Sequence, residues 1–166
     1  MTEVVIRDLD RSDWTSVREI YEEGIATGHA TFEAAAPDWE SWDQDHVPSC
    51  RLVAESQGRI VGWAALSPVS DRCAYGGVGE VSVYVSNAAG GKGIGTRLLE
   101  ALVRASEAAE FWTLQAGIFP ENVGSIRIHE KCGFRTLGVR ERLGKLAGAW
   151  RDVVLMERRS HTVGTE

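Results

Sequence analysis

Residues 78–109 place a glycine-rich segment between a strand pattern and a helix pattern, and this order restricts the chain more than any other feature. Apolar residues alternate with polar or aromatic ones over 78–86, as in a β-strand, and recur every three or four positions over 94–109, as in an amphipathic helix. Residues 90–95 read Gly-Gly-Lys-Gly-Ile-Gly. Glycines let the backbone approach a ligand, and N–H groups at a helix N-terminus favour an anion. The pattern predicts a phosphate-binding loop, with a glycine-rich turn that binds nothing as the alternative.

Two common phosphate-binding motifs do not fit this segment. A P-loop requires Ser or Thr directly after its lysine, and Lys92 is followed by Gly93. A dinucleotide fingerprint has Gly-x-Gly-x-x-Gly near the first strand of a parallel sheet, whereas the spacing here is Gly91-x-Gly93-x-Gly95. A pyrophosphate group bound by backbone N–H groups remains the expected ligand.

The hydropathy pattern of the whole chain predicts the element order β-α-α-β-β-β-α-β-α-β-β. This order indicates an α/β (α+β) protein with a mixed, mostly antiparallel central sheet flanked by helices, and one strand–helix–strand crossover that carries the glycine loop. Because there is no internal repeat or linker, we expect a single domain over residues 1–160 and a frayed tail over 161–166. The predicted strands are 4–9, 50–56, 59–69, 78–86, 111–119, 134–143 and 150–158, and the predicted helices are 12–26, 38–47, 94–109 and 120–132.

Composition excludes several classes of protein. The formal net charge is −6 with no long block of like charge, which argues against a nucleic-acid partner. Three cysteines without a Cys-x-x-Cys or Cys/His cluster predict neither a disulfide framework nor a metal site. No apolar run approaches ~18 residues and the N-terminus lacks a signal-peptide pattern, so we expect no membrane segment and a cytoplasmic location.

Two segments resemble the signatures of the GNAT superfamily of acetyltransferases. Residues 81–102, VSVYVSNAAGGKGIGTRLLEAL, resemble its acetyl-CoA loop, and residues 121–135, ENVGSIRIHEKCGFR, resemble its second signature. The resemblance implies the GNAT fold and acetyl-CoA as co-substrate, without a metal. Gly90 stands where the first signature has Arg or Gln, which implies that backbone amides bind the pyrophosphate without help from that side chain.

Four segments, 30–37, 71–86, 128–134 and 148–158, resemble one branch of this superfamily. The branch contains phosphinothricin N-acetyltransferases and also acts on methionine sulfoximine, methionine sulfone and arsenical glutamate analogues. It implies transfer of acetyl to the α-amino group of a small amino acid or a toxic analogue, and a homodimer. Phosphinothricin enzymes often carry a basic residue where this chain has Glu33, which argues against specificity for a doubly anionic acceptor.

The resemblance assigns catalytic roles to Glu80 and His129. Glu80 begins the strand beside the loop and matches the glutamate taken as the general base of this branch, acting directly or through water. His129 stands where many members have a Tyr that protonates the leaving thiolate, and an imidazole is able to do this or to share the base role. An ordinary strand-edge glutamate and a packed histidine are the alternatives.

The same resemblance assigns acetyl-CoA binding to the strand, the loop and the following helices. A backbone N–H of the strand is expected to stabilise the oxyanion, because strands of this family separate here and leave N–H groups unpaired. Asn122 is expected to hydrogen-bond the pantetheine arm and is also a candidate helix N-cap. The predicted cofactor-binding residues are Val83, Tyr84, Val85, Gly91, Lys92, Gly93, Ile94, Gly95, Thr96 and Asn122.

Arg72, Phe32 and Tyr75 are the candidate acceptor-binding residues. A guanidinium pairs bidentately with a carboxylate, so Arg72 is expected to bind the acceptor's carboxylate, while Phe32 and Tyr75 line the pocket. An arginine exposed to solvent is the alternative for Arg72. Tryptophans on the amphipathic faces of the first two helices are interpreted as core residues.

Two further functions remain open beside amino-acid N-acetylation. An acetyltransferase of this kind could act on a polyamine, an aminoglycoside or a protein N-terminus, and the negative net charge is compatible with cationic acceptors. A non-catalytic acyl-CoA-binding regulator is the other function, supported by Gly90 and opposed by the presence of both Glu80 and His129.

Overall fold

One seven-stranded sheet organises the protein, and the computed structural model describes residues 3–166. The order across the sheet is β1-β2-β3-β4-β5-β7-β6, with β4 and β5 parallel and the other neighbouring pairs antiparallel. The strands are β1 (Val4–Asp8), β2 (Arg51–Ser56), β3 (Arg59–Pro68), β4 (Val78–Val85), β5 (Thr113–Ile118), β6 (Arg135–Leu146) and β7 (Ala149–Arg159). The helices are α1 (Trp14–Ala26), α2 (Trp39–Asp45), α3 (Ile94–Ala108) and α4 (Val123–Lys131).

The predicted sheet is confirmed in its class and in its order of elements. α3 is the crossover that joins the parallel strands β4 and β5, so the glycine loop lies at the end of β4, before α3. The last two strands form a long hairpin closed by the turn at Ala147 and Gly148, which have φ of +51° and +82°.

The two faces of the sheet carry different layers. α3 and α4 cover one face, where the leucines of α3 are fully buried. α1 and α2 cover the other face, and α1 packs on β3 and β4. In β2 the side chains alternate accordingly, because Leu52 and Ala54 contact the first layer and Val53 the second. Beside the second layer, β5, β7 and β6 form one wall of a cleft.

Tryptophans of α1 and α2 form the aromatic core that the pattern predicted. The ring of Trp14 lies 5.7 Å from Trp39 and 5.4 Å from Trp42, centroid to centroid. Trp42 is 1% exposed and packs edge-on against Trp63 of β3. Since each large buried ring removes much apolar area from water, this cluster fixes α1 and α2 on the sheet.

The helix caps that the sequence favours are present at α2 and α4 but not at α1. Asp38 accepts from Ser41 N at the start of α2, and Asn122 accepts from Ser125 N at the start of α4. Gly133 ends α4 with a φ of +90°, as a C-terminal glycine does. Asp13 precedes α1 but makes no side-chain cap bond, because its carboxylate binds the guanidinium of Arg7 instead. Ser12 and Asp13 are the residues whose type and place before the helical pattern predict a cap for α1, and neither side chain caps this helix.

The C-terminal residues fold back on the sheet, where the sequence suggested fraying. Ser160 N donates to Trp112 O at 2.8 Å, and the Arg159 guanidinium donates to Val163 O and Gly164 O at 2.9 and 2.6 Å. The short polar residues gave no sign of these bonds, since Ser160 pairs with the distant Trp112 and the side chain of Arg159 turns back to the segment that follows it. Within residues 3–166, no helix has the length and apolar character needed to cross a membrane.

Candidate active site

β4 and β5 separate after three residue pairs, and this separation creates the site. Residues 78–80 of β4 pair with residues 113–115 of β5. Beyond these pairs, β4 continues to Val85 and β5 to Ile118 without pairing to each other. The antiparallel partners on the outer sides, β3 and β7, keep both strands extended across the gap.

Alternate residues of β4 direct their main-chain groups into this gap. The Val78 carbonyl and the Ser86 N–H both hydrogen-bond on the β3 side, at 3.3 and 2.8 Å. Because main-chain direction alternates along a strand, even-numbered residues face β3, and the N–H groups of Val83 and Val85 face the gap. Val83, Tyr84 and Val85 are the predicted cofactor-binding residues of β4, and of these Tyr84 offers its side chain to the site and not its main chain.

A cleft of about 750 Å³ opens at the gap, on the face that carries α1 and α2. Both predicted catalytic residues line it, together with the predicted Phe32, Val83, Tyr84 and Asn122. The other lining residues that matter here are Tyr21, Glu33, Trp42, Asp45, His46, Gln115 and Arg140.

Glu80 lies at the edge of the gap and is half-buried. Gln115 Nε2 donates to its Oε1 at 3.1 Å. No Lys or Arg of residues 3–166 lies within ion-pair distance of the Glu80 carboxylate. A carboxylate held by a neutral amide keeps its negative charge uncompensated, so it remains able to accept a proton from an ammonium group.

His129 is buried on α4 with one nitrogen occupied. Its Nδ1 lies 2.7 Å from the Ser125 carbonyl oxygen, and its ring packs edge-on against Phe134. Since a carbonyl only accepts, Nδ1 carries the hydrogen, and Nε2 of the neutral ring is a proton acceptor. Burial lowers the pKa of His129, while the bond to Ser125 opposes this shift. The neutral ring at physiological pH suits a base better than a ready proton donor.

Two tyrosines, Tyr21 and Tyr84, lie side by side in the lining of the cleft. The rings of Tyr21 and Tyr84 lie 4.9 Å apart, and Tyr84 also stacks on Trp63 at 4.8 Å. Burial raises the pKa of both tyrosines, and the negative charge of Glu33 adds to this, while the nearby Thr31 side chain lowers it. Both hydroxyls therefore stay protonated and are able to donate hydrogen bonds.

The glycine loop lies at the far end of β4 and leaves main-chain donors free. Gly91 and Gly93 have φ of +77° and +76°, a conformation that other residues adopt at a cost. Within the described residues, no protein group accepts from the N–H of Gly91, Lys92 or Gly93. Gly95 allows α4 to approach, because a Cβ there would come within 2.9 Å of Ile128 Cδ1. The loop thus presents N–H groups at the N-terminus of α3.

Asn122 already has partners for both ends of its side-chain amide. Its Oδ1 accepts from Ser125 N at 3.2 Å, and its Nδ2 donates to His29 O at 3.3 Å. The cap role is thereby confirmed. Its predicted contact with the pantetheine arm requires the second hydrogen of Nδ2 or a second lone pair of Oδ1.

Arg72 and Tyr75 do not line the cleft, whereas Arg140 does. Arg72 lies in the loop before β4, exposed, with its guanidinium 5.6 Å from the ring centroid of Tyr75. Arg140 extends from β6 and has no carboxylate partner among residues 3–166. The structure therefore provides a second candidate for the carboxylate-binding role that the sequence gave to Arg72.

Sequence reasoning missed several residues of the site. Gln115 carried a weak signal, as a polar residue in an otherwise apolar strand. Arg140 carried none, because it is one of several charged residues in a strand that is exposed over most of its length. Glu23 also carried none, yet its Oε2 accepts from Asn87 N at 2.8 Å and fixes the start of the glycine loop against α1.

Comparison with known proteins agrees with this geometry. The model of the Acetyltransferase (GNAT) family matches residues 6–134. Phosphinothricin N-acetyltransferase of Alcaligenes faecalis is 34% identical over 164 residues, which cover 93% of this chain and 80% of that protein. The L-methionine sulfoximine/L-methionine sulfone acetyltransferase of Pseudomonas aeruginosa is 26% identical over 158 residues, 92% of each protein.

A solved structure has the same fold over nearly the whole chain. The GNAT superfamily phosphinothricin acetyltransferase from Sinorhizobium meliloti, in complex with AcCoA, superposes with a TM-score of 0.83 at 30% identity. The superposition covers 98% of this chain and 96% of that one. With the family match, the separated strands and the glycine loop, it follows that the chain belongs to the GNAT acetyltransferase family and is an acetyl-CoA-dependent N-acetyltransferase.

Proposed function

We propose that this enzyme acetylates the α-amino group of a small amino acid or of a toxic analogue, of the phosphinothricin or methionine sulfoximine and sulfone type. The observation that carries the proposal is that Glu80 and His129, from different elements, line one cleft at the gap between β4 and β5. The relatives named above act on amino-acid analogues by their names, which supports this acceptor class.

The residues present fit acetyl-CoA. Free N–H groups at Gly91, Lys92 and Gly93 suit its pyrophosphate, and the N–H groups of Val83 and Val85 face the gap where an extended arm would add to the sheet. The further predicted contacts are those of Ile94, Gly95, Thr96 and Asn122. When bound there, the co-substrate supplies the acetyl group and the thiol leaving group.

Glu80 and His129 handle protons in this proposal. An amine attacks only when neutral, so a base must first take a proton from the ammonium form. Glu80 is half-buried, and no Lys or Arg of residues 3–166 neutralises it, so it serves as that base directly or through a water molecule. His129 Nε2, the free acceptor of a neutral ring, shares this role and then holds a proton that it can return to the leaving thiolate.

Arg140 and Phe32 position the acceptor. The guanidinium of Arg140 binds the α-carboxylate, a task that the sequence gave to Arg72. Phe32 packs edge-on against Phe119 at 4.9 Å and closes on Gly144 of β6, so it shapes the wall of the pocket. Arg72 and Tyr75 lie outside the cleft lining. Their roles in binding the acceptor therefore remain predictions from the sequence.

An assay of free thiol tests the function. Purified enzyme, acetyl-CoA and a panel of amino acids with phosphinothricin, methionine sulfoximine and methionine sulfone are combined, and thiol release is followed with product mass. We expect release with at least one α-amino acid and a mass gain on its α-amino group. Thiol release with polyamines or peptide N-termini alone would contradict the acceptor assignment.

We also propose a cytoplasmic homodimer. The long edge strand β6 exposes apolar side chains, among them Leu137 and Val139 at 45% and 53%, which supports an interface on this hairpin. The three cysteines are all free, which suits a reducing compartment. Light scattering after gel filtration tests the assembly: a monomeric mass at micromolar concentration would contradict it.

A further inference from the structure

Negative charge predominates in the acceptor part of the cleft. Glu33, Asp45 and Glu80 line it, and within residues 3–166 none of the three carboxylates has a Lys, Arg or His within ion-pair distance. Among the described residues, Arg140 is the only Lys or Arg that lines the cleft. One guanidinium opposes three carboxylates, so the α-carboxylate of an amino acid has a partner and any second anion has none.

The histidines of the cleft do not compensate for this charge. Burial lowers the pKa of His46 and of His129, so both rings are neutral near pH 7. The third histidine, His29, lies against the Arg151 guanidinium, 3.1 Å from its Nη2. The balance of charge in the cleft is therefore set by Glu33, Asp45 and Arg140 around the catalytic Glu80.

Aromatic rings surround the same carboxylates. Tyr21, Trp42 and Tyr84 line the cleft, and Glu33 lies close enough to both tyrosines for its charge to act on their hydroxyls. His46 stacks on Trp42 at 4.2 Å beside Asp45. Carboxylates and the faces of aromatic rings both attract a cation, so together they stabilise a positively charged group.

We propose that the acceptor carries a second, positively charged group on its side chain, which Glu33 and Asp45 bind beside the ring of Tyr21. The enzyme then discriminates between amino acids by side-chain charge and rejects those with a second negative charge. This inference rests on the proposed function and narrows its acceptor class to basic α-amino acids, ahead of neutral ones and of anionic analogues such as phosphinothricin.

Two pairs of substrates that match in size test the inference. Arginine and citrulline differ mainly in a positive charge, and glutamate and glutamine differ mainly in a negative one. We expect kcat/KM to favour arginine over citrulline and glutamine over glutamate, each by about threefold to tenfold, as for a partly exposed ion pair. Raising the salt concentration to about 1 M, where the Debye length is about 3 Å, should reduce both ratios.

Variants of the two carboxylates test whether their charge, and not a change in the shape of the cleft, causes the preference between substrates. Glu33→Gln and Asp45→Asn should each lower both ratios while the KM for acetyl-CoA stays the same, and Glu33→Lys should favour glutamate over glutamine. Glu19→Gln, on the exposed side of α1 outside the cleft, should leave the ratios unchanged. Ratios close to one, or ratios that Glu33→Gln does not alter, would overturn the inference while leaving the acetyltransferase function in place. No thiol release with any amino acid would instead overturn the proposed function.

Discussion

Gln115 Nε2 donates to Glu80 Oε1 at 3.1 Å, across the last residue pair that β4 and β5 share. The side-chain bond thus lies where main-chain pairing of the two strands ends. It holds the carboxylate at the edge of the gap and adds no positive charge to it. A Lys or Arg in the place of Gln115 would stabilise the charged carboxylate and weaken it as a base.

Replacing Glu80 with glutamine should remove the base and keep the shape of the site. We expect kcat to fall by about 10²-fold to 10⁴-fold, the usual contribution of a positioned general base. Acetyl-CoA affinity, measured by isothermal titration calorimetry, should not change, because Glu80 is remote from the glycine loop along β4. Glu130→Gln, exposed on α4 next to His129, is the control. A wild-type kcat in Glu80→Gln would show that another group takes the proton.

Burial of His129 makes the stability of the fold depend on pH. Its folded pKa is lowered, so the unfolded chain binds a proton at a higher pH than the folded chain does. The free energy of unfolding therefore falls as the pH drops below the ordinary histidine value of 6.5 toward the lowered folded value. Each pKa unit of lowering corresponds to about 1.4 kcal/mol.

His129→Gln should flatten this pH dependence, because its amide can still donate to the Ser125 carbonyl but does not titrate. Thermal melting between about pH 7.5 and 5 measures the difference. His161→Gln, in the exposed C-terminal segment, should melt with the slope of the wild type. Parallel curves for wild type and His129→Gln would contradict the assignment of the titration to His129, and His46 would be the next candidate, since burial lowers its pKa too.

Local patterns in the sequence were enough to predict the helices and strands and part of the candidate site. Strand alternation, helical periodicity and the caps Asp38 and Asn122 depend on neighbouring residues, and the structure has them as expected. Glu80 and His129 were assigned through a family signature, and the structure places both on the cleft. The cap at Asp13 failed because Arg7, from a neighbouring strand, competes for its carboxylate.

Residues whose role depends on distant packing could not be predicted. Arg140 reaches the cleft because β6 and β7 form a bulge: Arg140 pairs with Val153 and Gly144 with Arg151, so residues 141–143 lie opposite Asp152 alone. Arg142 N donates to that Asp152 carboxylate at 2.8 Å. A two-residue irregularity of this kind decides which arginine of the strand faces the site, and the order of charged residues in the strand gives no sign of it.

Gly90 lacks the side chain that the first GNAT signature has at this position, and the backbone there accepts one. Its φ of −63° and ψ of 153° suit any residue, and the nearest atom to an added Cβ is Asn87 O at 3.6 Å. Gly90→Arg should tighten acetyl-CoA binding about threefold to tenfold through its charge near the pyrophosphate. Gly90→Ala is the matched control without charge. If calorimetry gives both variants the same affinity for acetyl-CoA, the main-chain N–H groups of the loop already satisfy the pyrophosphate, and an added positive charge contributes nothing.

Arg140 and Arg72 offer a direct choice for binding the acceptor's carboxylate. Arg140 lines the cleft and Arg72 lies in the exposed loop before β4. Arg140→Gln should raise the KM for an amino-acid acceptor about tenfold to a hundredfold, as for loss of a hydrogen bond to a charged group, and leave kcat and the KM for acetyl-CoA nearly unchanged.

Arg72→Gln is the matched variant and should have wild-type kinetics. An acceptor without a carboxylate, such as the amine left by decarboxylation of the same amino acid, provides the second control, because Arg140→Gln should not weaken its turnover. The opposite result, with a raised KM in Arg72→Gln and none in Arg140→Gln, would restore the sequence-based assignment. It would also mean that the loop before β4 moves toward the cleft when the acceptor binds, because Arg72 is outside the cleft in this structure.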